Sequence, residues 1–247
     1  MIPKIIHYCW FGGKDKPEIV NEYINTWKKV FPDYEIREWN EENFHIEKSC
    51  KYVQEAYKAG KYAFVSDYVR LYALYEVGGL YFDTDIEAVE NIDRYLKNKD
   101  AVFGFEDDHY VMTGFIAAKS HLDCFEKLID IYNEKSFILS SGKYDTLPNT
   151  VIVTNVLEDF GLIPNGKKQT FSDNFDIFPY EYFSAYNIAY QKLNITKDTK
   201  LIHHCMGTWQ SPKDRIKPKI KSILLKIIGD KNFEILKERF YKKQKGI

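Results

Sequence analysis

Asp83 and Asp85 stand two residues apart at the end of the short apolar run Leu80-Tyr81-Phe82. If that run is a strand, its period-two geometry turns both carboxylates to one side. Two carboxylates held side by side repel unless a cation shares them, and hard oxygen donors suit Mg2+ or Mn2+. The triplet alone is weak evidence in a chain with 36 acidic residues. Upstream, Asp67 and Arg70 lie three residues apart, so on a helix they share a face. A carboxylate beside a guanidinium fork suits a ligand with several hydroxyls. The bland alternative is a surface ion pair.

These residues need a frame. Residues 66–85, SDYVRLYALYEVGGLYFDTD, read as a helix, a glycine hinge at Gly78-Gly79 and a short strand, because glycine best tolerates the left-handed turn that closes a helix. Ahead of it, residues 2–10 form a near-continuous apolar strand, and Pro17 opens a helix whose apolar positions Val20, Tyr23, Ile24, Trp27 and Phe31 recur at helical spacing. Residues 34–39 are a second strand, and residues 50–77 read as helical throughout. Further strands are predicted over 101–105, 114–118, 176–178 and 201–203, with helices over 122–132 and 151–160. Strand, helix, strand at the start opens an α/β sheet, whose ligands bind at the carboxyl ends of the strands.

Length and composition bound the rest. The 247 residues, 45% of them hydrophobic, suffice for one sizeable α/β domain with a small appendage. No run of about 18 apolar residues predicts a transmembrane helix, and the start MIPKIIHYCWFGG lacks the features of a signal peptide. Cys9, Cys50, Cys124 and Cys205 are scattered without zinc-like spacing, which predicts reduced thiols in a cytoplasmic protein. No G-x-G-x-x-G or Walker loop occurs, which excludes dinucleotide and P-loop sites, and a nucleic-acid partner is not expected. The net charge of −1 hides a basic tail of +8 over residues 213–247 behind a body of −9.

Three blocks together resemble glycosyltransferase family 32: IPKIIHYCWFGG, SDYVRLYALYEVGGLYFDTD and HHCMGTW. The family includes mannosyltransferases and capsule enzymes, and the same blocks resemble the glucosyltransferase domains of clostridial toxins. The resemblance runs over about residues 2–210. It implies a GT-A fold, with a Rossmann-like central mixed sheet flanked by helices. It also implies a retaining hexosyltransferase using a nucleotide-sugar donor of the UDP-sugar type, Mn2+ or Mg2+, and a glycan or lipid-linked acceptor in surface (capsular) polysaccharide synthesis. Position by position, the resemblance puts Cys9 and Trp10 at the nucleobase. Asp67, Arg70, Tyr81 and Asp83 fall at the donor sugar, and Asp85 at the metal as its direct ligand beside Asp83. Arg70, Asp83 and Asp85 form the catalytic set. In the late block, His204 is favoured over His203 as a further ligand to the metal or a phosphate oxygen. Thr208 stands where serine is commoner, and Trp209 would close over the nucleotide. Pro148, Asn149 and Thr154 match an acceptor-side loop and helix, although Leu147 replaces the usual glycine. Glu106, Asp107 and Asp108 are the nearest candidates for a protein nucleophile, but read rather as a solvated or sugar-contacting loop. Front-face attack by the acceptor is therefore the expected route to retention.

Two other classes compete. FDTDI echoes the strand-end D-x-D of haloacid-dehalogenase-like phosphatases, but that motif usually sits near the N-terminus and is followed by Thr or Val, not by Ile86. A non-catalytic glycan-binding protein is the other, and the intact Asp67, Arg70, Asp83 and Asp85 set argues against it. The expected division is a transferase domain over 1–212 and a tail over 213–247. In the tail, Ile216, Ile220, Ile223, Leu224, Ile227 and Ile228 share one helical face among lysines. Such basic amphipathic helices lie on anionic membranes, which predicts peripheral attachment at the cytoplasmic face. The alternative is a helix packed back on the domain.

Overall fold

The computed structural model describes residues 1–172, 174–187, 192–207 and 232. The chain runs β1 (Ile5–Cys9), α1 (Glu18–Val30), β2 (Glu35–Trp39), a 3-10 turn, α2 (Lys51–Lys58), α3 (Tyr62–Glu76), β3 (Gly79–Phe82) and β4 (Ile86–Ala88). It continues through α4 (Asp93–Leu96), β5 (Ala101–Phe105), β6 (Val111–Ala118), α5 (Asp123–Glu134), α6 (Asn149–Asp159), β7 (Gln169–Phe171) and β8 (Phe175–Phe178). Last come α7 (Tyr180–Phe183), β9 (Tyr186–Asn187), β10 (Lys192–Leu193) and β11 (Leu201–His203). The predicted α/β class holds. Seven strands form one mixed sheet in the order β2-β1-β3-β6-β5-β8-β7, with helices on both faces.

Strand direction decides where chemistry collects. β1 is parallel to β2 and β3, β6 is antiparallel to β3 and β5, and β5 is parallel to β8. The carboxyl ends of β1, β2, β3, β5 and β8 therefore share one edge, and β6 begins there. Alternation along β3 assigns its side chains: Leu80 and Phe82 join the core under α1 with Trp27, Phe31 and Phe115. Tyr81 faces the other core, with Tyr52, Phe103, Phe125 and Tyr132. Trp27 is fully buried, and its indole N–H donates to the Ile86 carbonyl at 2.7 Å, which fixes α1 against β4.

The helical stretch expected over residues 50–77 is two helices. Gly60, at φ +66°, closes α2, with its N–H on the Tyr57 carbonyl and that of Lys61 on the Ala56 carbonyl. The break lets α2 and α3 pack as separate rods, and the second one carries the polar residues of interest.

Gly78 and Gly79 form the predicted hinge, at φ +71° and +113°. Next to it, His7 is fully buried. Its Nε2 meets the Gly78 carbonyl at 2.8 Å and its Nδ1 accepts from the Trp39 indole at 3.0 Å. Burial pushes this imidazole down to about 4, with Arg37 adding to it against the Gly78 bond, so it is a neutral strut joining β1, β2 and the hinge. A Cβ on Gly79 would stand 2.7 Å from the Ile5 carbonyl oxygen. Gly79→Ala should therefore cost about 1–3 kcal/mol from the backbone conformation alone, and more from the clash. A urea midpoint that falls at constant slope is the expected result, and an unmoved midpoint would mean that the hinge relaxes freely.

Candidate active site

Arg70 projects from α3 into the sheet edge, 5% exposed. Its guanidinium lies 3.0 Å from Asp67, 3.2 Å from Asp83 Oδ1, and donates to the Thr113 carbonyl at 2.8 Å. The Tyr81 ring lies beneath it at 4.9 Å, and the Tyr81 hydroxyl donates to the same Asp83 Oδ1 at 3.0 Å. The helical spacing of Asp67 and Arg70 thus makes a buried pair, not a solvated one. Burial, with help from Asp83, pushes Asp67 up to about 6 even against the pull of Arg70. Cys9, at the end of β1, is buried in the same environment, and burial raises its thiol to about 12.

The two aspartates do converge, by a different route from that expected. β3 ends at Phe82, and the chain turns at once, with the Ile86 N–H donating to the Asp83 carbonyl at 3.0 Å. The β4–β11 ribbon then returns His203 opposite Ile86. Asp85 Oδ1 lies 3.2 Å from His203 Nε2, Asp83 Oδ2 lies 4.0 Å from it, and Asp85 Oδ2 accepts from the Met206 N–H at 2.8 Å. Burial opposes the charge on Asp85, but His203 and the Met206 amide outweigh it and hold the carboxyl at about 2. Burial likewise opposes a charged His203, yet Cys205 and Asp85 raise it well above the ordinary imidazole value.

The preference for His204 is corrected. Its Nε2 meets Glu87 at 2.9 Å and its ring stacks on Tyr23 at 4.7 Å, away from the aspartates. Neighbours on a strand face opposite ways, and the register with β4 gives the inward position to His203.

Asp83, Asp85 and His203 offer two oxygens and one nitrogen within 4.8 Å of one another. This donor set fits a divalent ion, and the imidazole favours Mn2+ over Mg2+. Their surroundings fit too. The floor of the group is Gly114, where an added Cβ would stand 3.0 Å from both Asp83 Oδ2 and His203 Cε1 and fill the cradle. His203 Nδ1 is buried without a hydrogen-bond partner among the described residues. Gly114 and Thr113, both at the start of β6, escaped the sequence reading, since neither residue type signals such a role. Glu106, on the loop after β5, is pushed up to about 7 by burial and by Asp107 and Asp83, against His203.

Trp10 is half-buried and lines a cleft of about 690 Å³ beside Gly12, Gly13, Lys16, Asn40 and Glu41, at the ends of β1 and β2. Its indole N–H donates to the Lys14 carbonyl at 2.6 Å. Trp10 thus packs against the core under α1 with part of its ring and lines the cleft with the rest. Asn149 and Thr154, matched to the acceptor side, are buried: Asn149 donates to the Tyr132 hydroxyl, and Thr154 accepts the Val111 N–H. Thr208, Trp209 and the tail lie outside the described residues.

The motif, hinge and cradle agree with what sequence comparison finds. Residues 17–102 match the family model described as the glycosyltransferase sugar-binding region containing the DXD motif, and the match spans Asp67, Arg70, Asp83 and Asp85. Over that stretch the chain is similar to DXD-containing glycosyltransferases. Among curated proteins, none matches it. Solved structures with a similar course include the PaToxG glycosyltransferase, at 18% identity over 64% of this chain and 68% of that one, with a TM-score of 0.47. A glycosyltransferase involved in glycosylation of the major capsid of PBCV-1 aligns at 12% identity over 89% and 99%, with a TM-score of 0.44. The galactosyltransferase LgtC, in complex with donor and acceptor sugar analogues, aligns at 10% over 89% and 94%, also at 0.44. Likeness at this level carries no functional weight.

Replacing Arg70 tests the buried network. Arg70→Met strands Asp67 and Asp83 and should cost about 3–5 kcal/mol at pH 8. Without the arginine, the folded-state value of Asp67 rises further above its unfolded value. The variant therefore regains stability as pH falls through that raised value, and its deficit against the wild type narrows toward pH 4. Urea titrations at both pH values read this directly, and a pH-independent deficit would contradict it.

Proposed function

We propose that the chain transfers a hexose from a UDP-sugar to a glycan or lipid-linked acceptor, with retention of configuration and with Mn2+ or Mg2+ held by Asp83, Asp85 and His203. The observation that carries this reading is the cradle over Gly114, set beside the buried Asp67–Arg70 pair. A bound divalent ion would neutralise charge on the departing diphosphate. Asp67 and Arg70 hydrogen-bond the donor sugar and fix its orientation, while Trp10 offers a flat face to the base. Tyr81 and Arg70 together hold Asp83 Oδ1, which leaves Oδ2 for the cradle. The phosphatase alternative needs Asp83 as an unencumbered nucleophile, and that engaged oxygen disfavours it.

Retention follows from front-face attack. The bond from the anomeric carbon to the diphosphate oxygen breaks as the acceptor oxygen bonds on the same face, and the acceptor proton passes to the departing phosphate. Glu106 is a poor substitute nucleophile, because its raised value keeps it substantially protonated near neutral pH. Asp85→Asn, a nearly isosteric change, should keep the fold, at a lowered unfolding midpoint because the ionised carboxylate that His203 and the Met206 amide hold is lost. It should also abolish Mn2+-dependent UDP binding by calorimetry and metal-dependent hydrolysis across a nucleotide-sugar panel. A variant that keeps most of either activity sinks the assignment.

No helix among the described residues is long and apolar enough to cross a membrane. Attachment to an anionic membrane surface through residues 213–247 is inferred from the basic amphipathic pattern of that stretch, each basic residue contributing about 1 kcal/mol near such a surface. A lipid-linked acceptor would make that attachment useful. Flotation with anionic liposomes should separate the full chain from a truncation after Pro212, the full chain alone floating at low salt. Equal behaviour of the two removes the membrane from the proposal.

A further inference from the structure

The sheet edge carries a second cleft, about 540 Å³, at the ends of β5 and β8. We infer that it is the acceptor subsite, built to hold a neutral hexopyranose residue of the acceptor glycan. This inference rests on the glycosyl-transfer reading above.

Placement is the first argument. The sheet order sets the Trp10 cleft at β2 and β1, the metal cradle at β3, and this cleft at β5 and β8. A transferase needs its acceptor across the reacting centre from the nucleotide. Both walls of the cleft also lead toward that centre. Asp108 lies on the loop between β5 and β6, and β6 carries Gly114 against Asp83 and His203. Thr196, Lys197 and Asp198 lie on the segment that runs into β11 and delivers His203.

Lining chemistry is the second. Tyr180 and Tyr182 are half-buried and lie along the cleft. A pyranose ring has an apolar C–H face, which an aromatic ring covers, and hydroxyls around its rim, which charged groups hydrogen-bond. Lys167, Lys168 and Lys197 are matched by Asp108, Glu181 and Asp198, so the formal charge of the lining sums to zero. A cleft for a uronate or a sugar phosphate would carry an excess of lysine. This balance favours an uncharged sugar.

The residues matched to the acceptor from sequence are spent elsewhere, since Asn149 and Thr154 are buried on bonds that hold α6 to its neighbours. Of the tyrosines, Tyr180 makes the cleaner probe. Among the described residues its hydroxyl takes part in one bond, from Asn194 at 3.0 Å, and its backbone bonds to Ser184 and Ala185 survive truncation. Tyr182 packs on Tyr95, Phe178 and Phe183, so its loss would disturb the core.

The test is saturation-transfer NMR on the full chain with methyl glucoside, methyl galactoside, methyl mannoside and methyl glucuronide, without donor or metal. At least one neutral glycoside should receive saturation, and more than the glucuronide does. In Tyr180→Ala the apparent Kd should rise about tenfold, and Tyr180→Phe should restore it. Lys197→Ala, an exposed change, should weaken the same glycoside and supplies a readout if Tyr180→Ala fails to fold. Binding by no glycoside, a preference for the glucuronide, or affinity unchanged in both Tyr180→Ala and Lys197→Ala overturns the subsite. Mn2+-dependent UDP binding, measured in parallel, keeps the two readings separable, because it fails only if the transfer reading is wrong.

Discussion

A guanidinium buried at the edge of a sheet is the constraint on which this site depends. Removing Arg70 from water is costly, and only a full set of partners offsets it. Those partners come from Asp67 on its own helix, Asp83 beyond β3 and the Thr113 carbonyl on β6. Three elements are thereby locked to one another by one charge. The lock also divides the labour of Asp83. One of its oxygens is spent on Arg70 and Tyr81, and the other faces His203 over Gly114.

Around that lock, the backbone does the positioning. The Gly78-Gly79 hinge turns α3 into β3 while passing the end of β6 and the Ile5 carbonyl of β1 at a distance that no Cβ would permit, and the neutral His7 holds the hinge to β1 and β2. The β4–β11 ribbon recruits a residue more than a hundred positions away in sequence to stand beside Asp85. Because five strands end at one edge, the Trp10 cleft, the cradle and the second cleft fall in spatial order along it. The chain needs no separate domain to bring them together.

Much of this was legible in the sequence, for reasons that are local. Alternation and helical spacing located the strands and helices, glycine located the hinge, and i,i+3 spacing paired Asp67 with Arg70 before any coordinates. Trp10 was placed at the nucleobase by family resemblance, while its own context would better have suited a core residue. What stayed hidden was non-local. The choice between His203 and His204 depends on which residue of β11 faces inward, and register with β4 decides that. Gly60 divides the stretch read as one helix because its left-handed conformation costs glycine little, yet the sequence reading carried the helix across it. Gly114 and the Thr113 carbonyl matter only because β6 lies antiparallel beside β3, a pairing that the residue types of either strand leave unspecified. The buried state of Asn149 and Thr154 likewise follows from how α6 packs on β6 and α5.

The loop that follows β1 has a kinetic meaning. Gly12, at φ +99°, lies so close to the Tyr62 ring that a Cβ would be 2.3 Å from it, and its N–H is held by Glu41, which also accepts from Tyr57. This wall of the Trp10 cleft is thus clamped to α2, α3 and the segment after β2. A ligand entering there meets a surface already in its final shape and forfeits little chain entropy on arrival. On the proposed reading, nucleotide capture at that wall should run closer to the encounter limit than to the pace of a folding loop, and release of the spent nucleotide is then governed by the contacts it must break.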